Sequence, residues 1–220
     1  MKRRDFSALL ATAPVLGATS SALAQGGPVE GRHYLALNPP LASTPGKVEV
    51  IEFFWYGCPH CYVFEPAVEA WAKQLPADVV FRKAHVAFRA NVKIHQRMFY
   101  ALEALGKEAA ARPAIFKAMH EQGQTLDDVK SQAKFLSALG VDGTKYQEAY
   151  NSFGVVTKCQ QAEKLSEAYR IDGVPSVGIG GRFLTSPSQA SGGQRLPEQE
   201  LSQRALQVAD FLIQRVRAKA

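Results

Sequence analysis

The first clear hydrophobic pattern in the chain lies over residues 47–55, which are rich in β-branched and aromatic side chains. These residues are apolar at both odd and even positions, which is typical of a strand covered on both faces. A neighbouring strand is predicted over residues 79–86. Between the two, apolar residues recur at helical spacing from Cys61 to Leu75. Pro66 lies inside this predicted helix and is expected to kink it.

Residues 89–158 show helical periodicity interrupted by stop signals, without the alternation of a strand. One apolar stripe ends at Gly106, and a second includes Ile115, Phe116 and Met119. Further helices are predicted over residues 127–139 and 142–150. The sequence thus predicts a long helical segment in the middle of the chain.

The last part of the chain returns to a mixed pattern. A helix is predicted over residues 155–169, a hairpin over 177–184 and a final helix over 198–216. Residues 185–193, rich in Gly, Ser and Pro, are predicted to form a polar loop. Together these patterns predict an α/β (α+β) fold, with no internal repeat and no separate domain on a linker.

Composition limits the possible functions only moderately. The chain has 220 residues, of which 46% are hydrophobic, enough for one compact domain or one domain with a sizeable insertion. The formal net charge is +6, but basic residues are mostly interspersed with acidic ones, and no basic run alternates with aromatic residues. This distribution favours a solvated charged surface over nucleic-acid binding.

The N-terminus has the pattern of an export signal. Basic residues 2–4 precede a moderately apolar stretch over residues 6–23, and small residues at 22–24 are typical of a cleavage site. We therefore assign residues 1–24 to a signal peptide and expect a soluble periplasmic protein with no membrane span after cleavage. Residues 3–6 also resemble a twin-arginine signal, so the export route stays open.

Two of the three cysteines lie in the sequence Cys58-Pro59-His60-Cys61. In an oxidising compartment paired thiols tend to form disulfides. A disulfide that closes so short a loop removes little conformational entropy from the unfolded chain, so a purely structural role is weak. We therefore interpret the pair as a reactive site.

The position of this pair at the start of a helix gives the two sulfurs different surroundings. Cys58 is predicted to cap the helix, with Pro59 at its first position, where a missing N–H costs nothing. The helix dipole and the unpaired amides stabilise a Cys58 thiolate, whereas Cys61 lies one turn inside on the buried side. His60 is expected to add a donor beside the Cys58 sulfur; an ordinary exposed histidine is the alternative.

A stabilised thiolate has a direct consequence for the redox chemistry. It favours the reduced enzyme, and therefore favours giving the disulfide away. Cys58 is predicted to be the nucleophile and Cys61 its covered partner.

The segment from Glu52 to Tyr62 closely resembles the active-site stretch of the DsbA family, the periplasmic thiol:disulfide interchange proteins of the thioredoxin-like superfamily. A second match is Gly173-Val174-Pro175-Ser176, which resembles the cis-proline loop of thioredoxin-like proteins. The resemblance implies a thioredoxin fold with a helical domain inserted between the third core strand and the cis-proline half. The first half of the core is then expected over residues 25–88, the insertion over 89–158 and the second half over 159–220.

The resemblance also implies an activity. The protein is expected to donate the Cys58–Cys61 disulfide to unfolded or folding exported proteins with free cysteines. The Val174–Pro175 bond is expected to be cis and to face Cys58, and the backbone of Val174 to pair with an extended client segment. A monomer without cofactor or metal is expected, reoxidised by a quinone-linked membrane oxidase resembling DsbB.

Glu52 and Lys83 resemble the buried charge pair that the family places beneath the second cysteine. Glu52 shares strand parity with Val48, Val50 and Phe54, so it is predicted to be covered. An unpaired buried carboxylate would be costly, which makes Lys83 on the neighbouring strand a plausible partner. The alternative is a carboxylate at the strand end that meets water.

Cys159 departs from the family pattern, in which the active pair works alone. Its helical spacing from Val155 and Ala162 predicts a buried, small apolar residue. An exposed thiol open to mixed disulfides is the alternative.

Two other functions stay open. One is a disulfide isomerase or reductase of the same fold, although such isomerases usually carry a dimerisation domain before the motif. The other is a metal-binding module in which Cys58, His60 and Cys61 hold the ion. The scattered positions of the remaining histidines in the sequence argue against a metal site.

Overall fold

A computed structural model describes residues 26–42 and 46–218 of the chain. Its elements, in chain order, are β1 (Leu35–Ala36), β2 (Val48–Phe54), α1 (Pro59–Ala72), β3 (Val79–His85), a 3-10 turn (Ala90–Val92), α2 (Lys93–Ala104), α3 (Glu108–His120), α4 (Val129–Ser137), α5 (Gly143–Asn151), α6 (Phe153–Ala168), β4 (Ser176–Ile179), β5 (Phe183–Thr185), α7 (Pro187–Ala190) and α8 (Glu198–Arg217). The predicted signal peptide lies outside the described residues. None of the helices in the described ranges is long and apolar enough to cross a membrane.

The strands form one mixed sheet in the order β1-β5-β4-β2-β3. β2 runs parallel to β3 and antiparallel to β4, and β4 and β5 form the predicted hairpin. Parallel neighbours need a crossover connection, which α1 provides between β2 and β3. The predicted α/β (α+β) fold is therefore confirmed.

β2 is buried on both faces, as its sequence predicts. Val48 and Val50 pack with residues of α1 and α8 on one side of the sheet. Ile51 and Phe53 point to the opposite side, where they pack against Tyr169 at the end of α6. This alternation places Glu52 on the same side as α1.

Helices α2 to α6 form the predicted insertion between β3 and β4, and their apolar core continues into the end of β2. The cluster that contains Met98, Phe116 and Tyr146 also contains Cys58 and Cys61. The boundary expected after residue 158 falls within α6, so one continuous helix joins the insertion to the second half of the core.

Two short elements differ from the sequence-based prediction. Residues 185–193 are predicted to form a loop, but they contain the short helix α7. The Ser186 hydroxyl caps this helix by accepting a hydrogen bond from the Gln189 amide. Serine followed by proline is a helix-start signal, which the high loop propensity of this segment obscures. β1 pairs with β5 but has only two residues. A strand of this length is too short to show a hydrophobic period.

Candidate active site

Cys58 caps the N-terminus of α1, with Pro59 in the first turn, as the sequence predicts. The strand β2 ends at Phe54, and the Cys58 amide donates to the Trp55 carbonyl at 3.0 Å, which closes the turn between strand and helix. Cys58 is 6% exposed and Cys61, one helical turn further, is fully buried. Both are free thiols in this structure. Of the two cysteines, only Cys58 is therefore accessible from solvent, and only in small part.

The two thiols differ in their tendency to ionise. The hydrogen bond from the Cys61 thiol, followed by the backbone amides of Cys61 and His60, lowers the pKa of Cys58 to about 6 against the opposing effect of burial. The Cys61 amide lies 3.4 Å from the Cys58 sulfur. Burial, together with the neighbouring Cys58, raises the pKa of Cys61 well above its ordinary value. The shift of Cys58 runs in the predicted direction, but its leading cause is the partner thiol rather than the helix start alone.

The side chain of His60 does not take the place expected for it. Its ring is 66% exposed, and Nδ1 lies 2.7 Å from Glu198 Oε1 at the start of α8. His60 supports a Cys58 thiolate mainly through its backbone amide, and the charge of its ring contributes less. The expectation of a ring donor beside the sulfur is therefore corrected, because α8 begins close enough to draw the ring toward its first carboxylate.

The Val174–Pro175 bond is cis, as the resemblance implies. The Cys58 thiol donates to the Val174 carbonyl, with 3.4 Å between sulfur and oxygen. Beside this contact lies a groove of about 230 Å³. Its apolar lining comprises Val63, Val174, Pro175, Pro187 and Leu201. An extended segment in this groove would contact Val174, whose carbonyl accepts the hydrogen bond of the Cys58 thiol.

Glu52 and Lys83 form the ion pair that the sequence predicts. They are direct neighbours in the register of β2 and β3, and their side chains are 0% and 4% exposed. Lys83 Nζ also lies 2.8 Å from Glu65 and 3.3 Å from Glu69, both on α1. The alternative, a Glu52 side chain in water, is wrong.

The charge cluster extends further than the sequence indicates. Arg112 on α3 contacts Glu65 at 3.0 Å, Glu69 at 2.5 Å and Glu108 at 2.5 Å. The spacing of Glu108 and Arg112 is a visible helical ion pair. The contact between Arg112 and α1 depends on how the helical insertion packs against the core, and no local sequence pattern predicts that packing.

Glu52 and Lys83 both have raised pKa values, for different reasons. Burial raises the pKa of Glu52 to about 7, although Lys83 opposes the shift. Burial works against a charged Lys83, but Glu52 and Glu65 outweigh it and raise the pKa of Lys83 to about 12. Because Lys83 keeps two other carboxylates, it stays charged when Glu52 is protonated. Glu52 Oε1 has no hydrogen-bond partner within residues 26–42 and 46–218, and the charge of Glu52 contributes to the raised pKa of Cys61.

Cys159 lies on α6 between the two predicted extremes. It is half-buried and packs against the core of the insertion. Burial raises the pKa of its thiol to about 11. The predicted packing of Cys159 against the core is therefore found, but its burial is incomplete.

Comparison with known proteins identifies relatives along the whole chain. Residues 91–202 match the family described as "DSBA-like thioredoxin domain". The chain is 42% identical over 194 residues to the thiol:disulfide interchange protein DsbA of Burkholderia cepacia, covering 87% of each chain. It is 37% identical over 221 residues to the protein of the same name from Pseudomonas aeruginosa, covering 100% of this chain and 99% of the relative. These longer matches include the Cys58–Cys61 segment, which precedes residue 91.

Solved structures give the same result. A crystal structure of Pseudomonas aeruginosa DsbA superposes with a TM-score of 0.79 at 38% identity, covering 86% of this chain and 94% of the other. The oxidoreductase NmDsbA1 from Neisseria meningitidis gives a TM-score of 0.73 at 30% identity, with coverages of 89% and 97%. The thioredoxin-like fold with a helical insertion is therefore confirmed.

Proposed function

Because this chain belongs to the DsbA family of thiol:disulfide oxidoreductases, we propose that it donates a disulfide held between Cys58 and Cys61 to exported proteins with free cysteines. The observation that carries the direction of transfer is the opposite pKa shift of the two thiols. A thiolate that is stable at neutral pH favours the reduced enzyme and makes Cys58 a good leaving group.

Transfer takes place in two exchange steps. A client thiolate attacks the Cys58 sulfur, the Cys58–Cys61 bond breaks, and the Cys61 sulfur leaves and takes up a proton. A second client thiolate then attacks the client sulfur of the mixed disulfide, and Cys58 leaves as a thiolate. The client thereby loses two electrons, which the enzyme carries as its dithiol.

We assign Glu52 a role in the first step, as the group that supplies a proton. Cys61 leaves into a fully buried environment, where an anion is costly. A carboxyl group whose pKa lies at about 7 can hold a proton and give it up near neutral pH. Lys83 then stabilises the carboxylate that remains, although the negative charge of Glu65 opposes this effect.

Val174 and Pro175 form the client-binding edge. The Val174 carbonyl already accepts a hydrogen bond from the Cys58 thiol, so its backbone lies beside the reacting sulfur. An extended client segment pairs with this backbone as an added strand. Recognition through main-chain groups suits an enzyme with many different clients.

We further propose a periplasmic location after removal of residues 1–24, and a monomer that a quinone-linked, DsbB-like membrane oxidase returns to the disulfide form. The names of the relatives, thiol:disulfide interchange proteins, support the general kind of partner. The assignment of residues 25–88 and 159–220 to the core and 89–158 to the insertion is part of the same proposal, with the reservation that α6 crosses its last boundary.

The decisive experiment measures the equilibrium of the Cys58–Cys61 pair with reduced and oxidised glutathione. A donor is expected to show a potential well above the roughly −270 mV of thioredoxin. With oxidised glutathione as the terminal oxidant, oxidation of a reduced, unfolded model client should be lost in Cys58→Ser. In Cys61→Ser, the Cys58 thiolate should attack oxidised glutathione, release one reduced glutathione and accumulate as a mixed disulfide, because no second active-site thiol resolves it. Cys159→Ser serves as the matched cysteine control with full activity. A potential as reducing as that of thioredoxin overturns the proposal.

A further inference from the structure

Histidine side chains from three different elements hold the turn that leads from β2 to Cys58. The Tyr56 amide donates to His85 Nε2 at 3.3 Å, and the Tyr56 carbonyl lies 2.7 Å from His120 Nε2. The indole of Trp55 donates to His95 Nδ1 at 3.1 Å. The turn before the reactive cysteine is therefore fixed on both sides of its peptide backbone.

These partners determine the role of each ring nitrogen. His85 and His95 each accept a hydrogen bond, so both must be neutral at the accepting nitrogen. Burial lowers the pKa of both rings, that of His85 well below its ordinary value. His120 faces a carbonyl and must therefore donate. Of the three histidines, only His120 donates a hydrogen bond to the turn.

His120 is also held in orientation from the active-site helix. Its ring stacks on Tyr62 with 4.9 Å between centroids and 4° between planes. Tyr62 is adjacent to Cys61, and its amide donates to the Cys58 carbonyl at 3.1 Å. His120 is the last residue of α3, so it joins the helical insertion to both ends of the reactive segment.

We propose that His120 is a positioning residue for the thiol pair, which selectively stabilises the reduced form by holding the Tyr56 carbonyl in place. The selectivity follows from covalent geometry. In the disulfide form, the Cys58–Cys61 bond itself fixes Cys58 at the start of α1. In the dithiol form, only non-covalent contacts keep the Cys58 sulfur against the amide of Cys61. Loss of the His120 contact therefore costs the reduced form more than the oxidised form.

This inference rests on the proposed function and predicts the sign of a redox change. Without the His120 donor, the pair should hold its disulfide more firmly, and Cys58 should ionise at higher pH. The loss of one hydrogen bond corresponds to a roughly three- to tenfold change in an equilibrium constant. For a two-electron couple, that is a potential lower by about 15 to 30 mV.

The test compares two replacements of the same side chain. His120→Phe keeps an aromatic ring against Tyr62 but removes the donor, whereas His120→Gln restores an N–H at a similar distance. Glu121→Gln is the matched control, because this neighbouring residue contacts the Tyr62 hydroxyl and not the turn. For each variant we would measure the glutathione equilibrium, the ionisation of Cys58 and the Tm.

The expected result is a three- to tenfold shift of the glutathione equilibrium toward the disulfide in His120→Phe, with values near wild type in His120→Gln and Glu121→Gln. A lowered Tm with an unchanged glutathione equilibrium in His120→Phe would show a purely structural role and overturn the inference. The same holds if the Gln variant shifts as far as the Phe variant. If the Phe variant does not fold, His120→Asn, whose amide is too short to reach the carbonyl, replaces it under the same criteria.

The outcome is distinguishable from a failure of the proposed function. If the wild type is oxidising and the glutathione equilibrium of all three variants is unchanged, only the proposed role of His120 is refuted. A wild type as reducing as thioredoxin sinks the disulfide-donor function, whatever the variants do.

Discussion

Glu52 lies directly opposite Lys83 across β2 and β3, and the two buried side chains form an ion pair on the side of the sheet that carries α1 and Cys61. Lys83 also binds Glu65 and Glu69. One lysine thus serves three carboxylates. Burial is the main reason why the pKa of Glu52, the most deeply buried of them, is raised to about 7, and the neighbouring Glu65 adds to the shift.

This arrangement predicts how stability depends on pH. Burial raises the pKa of Glu52 from 4.5 to about 7 in the folded protein. The stability contributed by the protonated group is present below about pH 4.5 and is lost as the pH rises through 7. Glu52→Gln removes this dependence. Urea unfolding of the reduced protein should therefore show wild type losing roughly 1 to 3 kcal/mol relative to the variant between pH 4.5 and 7.

A matched control lies on the same strand. Glu49→Gln removes a half-exposed ion pair with Arg82 and should cost less than about 1 kcal/mol. Parallel pH curves for wild type and Glu52→Gln would contradict the assignment of the raised pKa to Glu52.

His85 predicts a second pH effect, with the opposite sign. Burial holds the pKa of this ring well below 6.5, and the neutral ring accepts the Tyr56 amide. The unfolded chain binds a proton more readily, so stability is complete above about pH 6.5 and falls as the pH decreases below it. In His85→Gln, an amide oxygen can still accept the Tyr56 N–H but does not titrate. The variant should lose less stability than wild type between pH 6.5 and 4.5 in the same assay; an equal loss would refute this origin.

Gly178 lies at a position of β4 where a side chain has no room. A Cβ there would lie 2.3 Å from a ring carbon of Tyr169. Gly178→Ala should therefore lower the free energy of unfolding by roughly 1 to 3 kcal/mol. Gly154→Ala in α6 is the control, since a Cβ there would lie no closer than 3.9 Å to the Ser152 hydroxyl oxygen. This substitution should raise the free energy of unfolding by up to about 1 kcal/mol. Equal stabilities of the two variants would show that β4 and Tyr169 can move apart.

The third cysteine should be chemically quiet. Burial raises the pKa of Cys159 to about 11, so few thiolates are present at pH 8. A disulfide reagent added to the reduced protein at this pH should label Cys58 at least tenfold faster than Cys159, as peptide mapping would show. Cys159→Ala should keep the full rate of client oxidation. Preferential labelling of Cys159 would show that this thiol is activated by a contact absent here.

The core of this fold could be predicted from sequence because its signals are local. The apolar run of β2 is buried on both faces, and Pro59 follows a cap residue, so strand, turn and helix are each specified by neighbouring residues. The environment of Cys58 follows from this unit. β1 and α7 were missed, because two residues or one helical turn carry little periodic information.

The surroundings of the site were predicted less completely because they depend on packing between distant segments. Glu52 and Lys83 could be paired from the family resemblance and the cost of an unpaired buried carboxylate, and the register of β2 and β3 brings them together. Arg112 and His120 could not be placed, because they come from α3 of the insertion and no local pattern shows where that helix lies. The same limit explains His60, whose ring meets Glu198 from a helix 138 positions away.

Donation of the disulfide depends on a stable Cys58 thiolate beside a Cys61 thiol that keeps its proton to much higher pH. Ultraviolet titration of the thiolate in reduced Cys159→Ala, with the disulfide form as the blank, measures both ionisations. We predict one ionisation with a midpoint of about pH 6, assigned to Cys58 by its loss in Cys58→Ser, and no second one below pH 9. A single midpoint between pH 8.5 and 9 for Cys58 would refute this assignment.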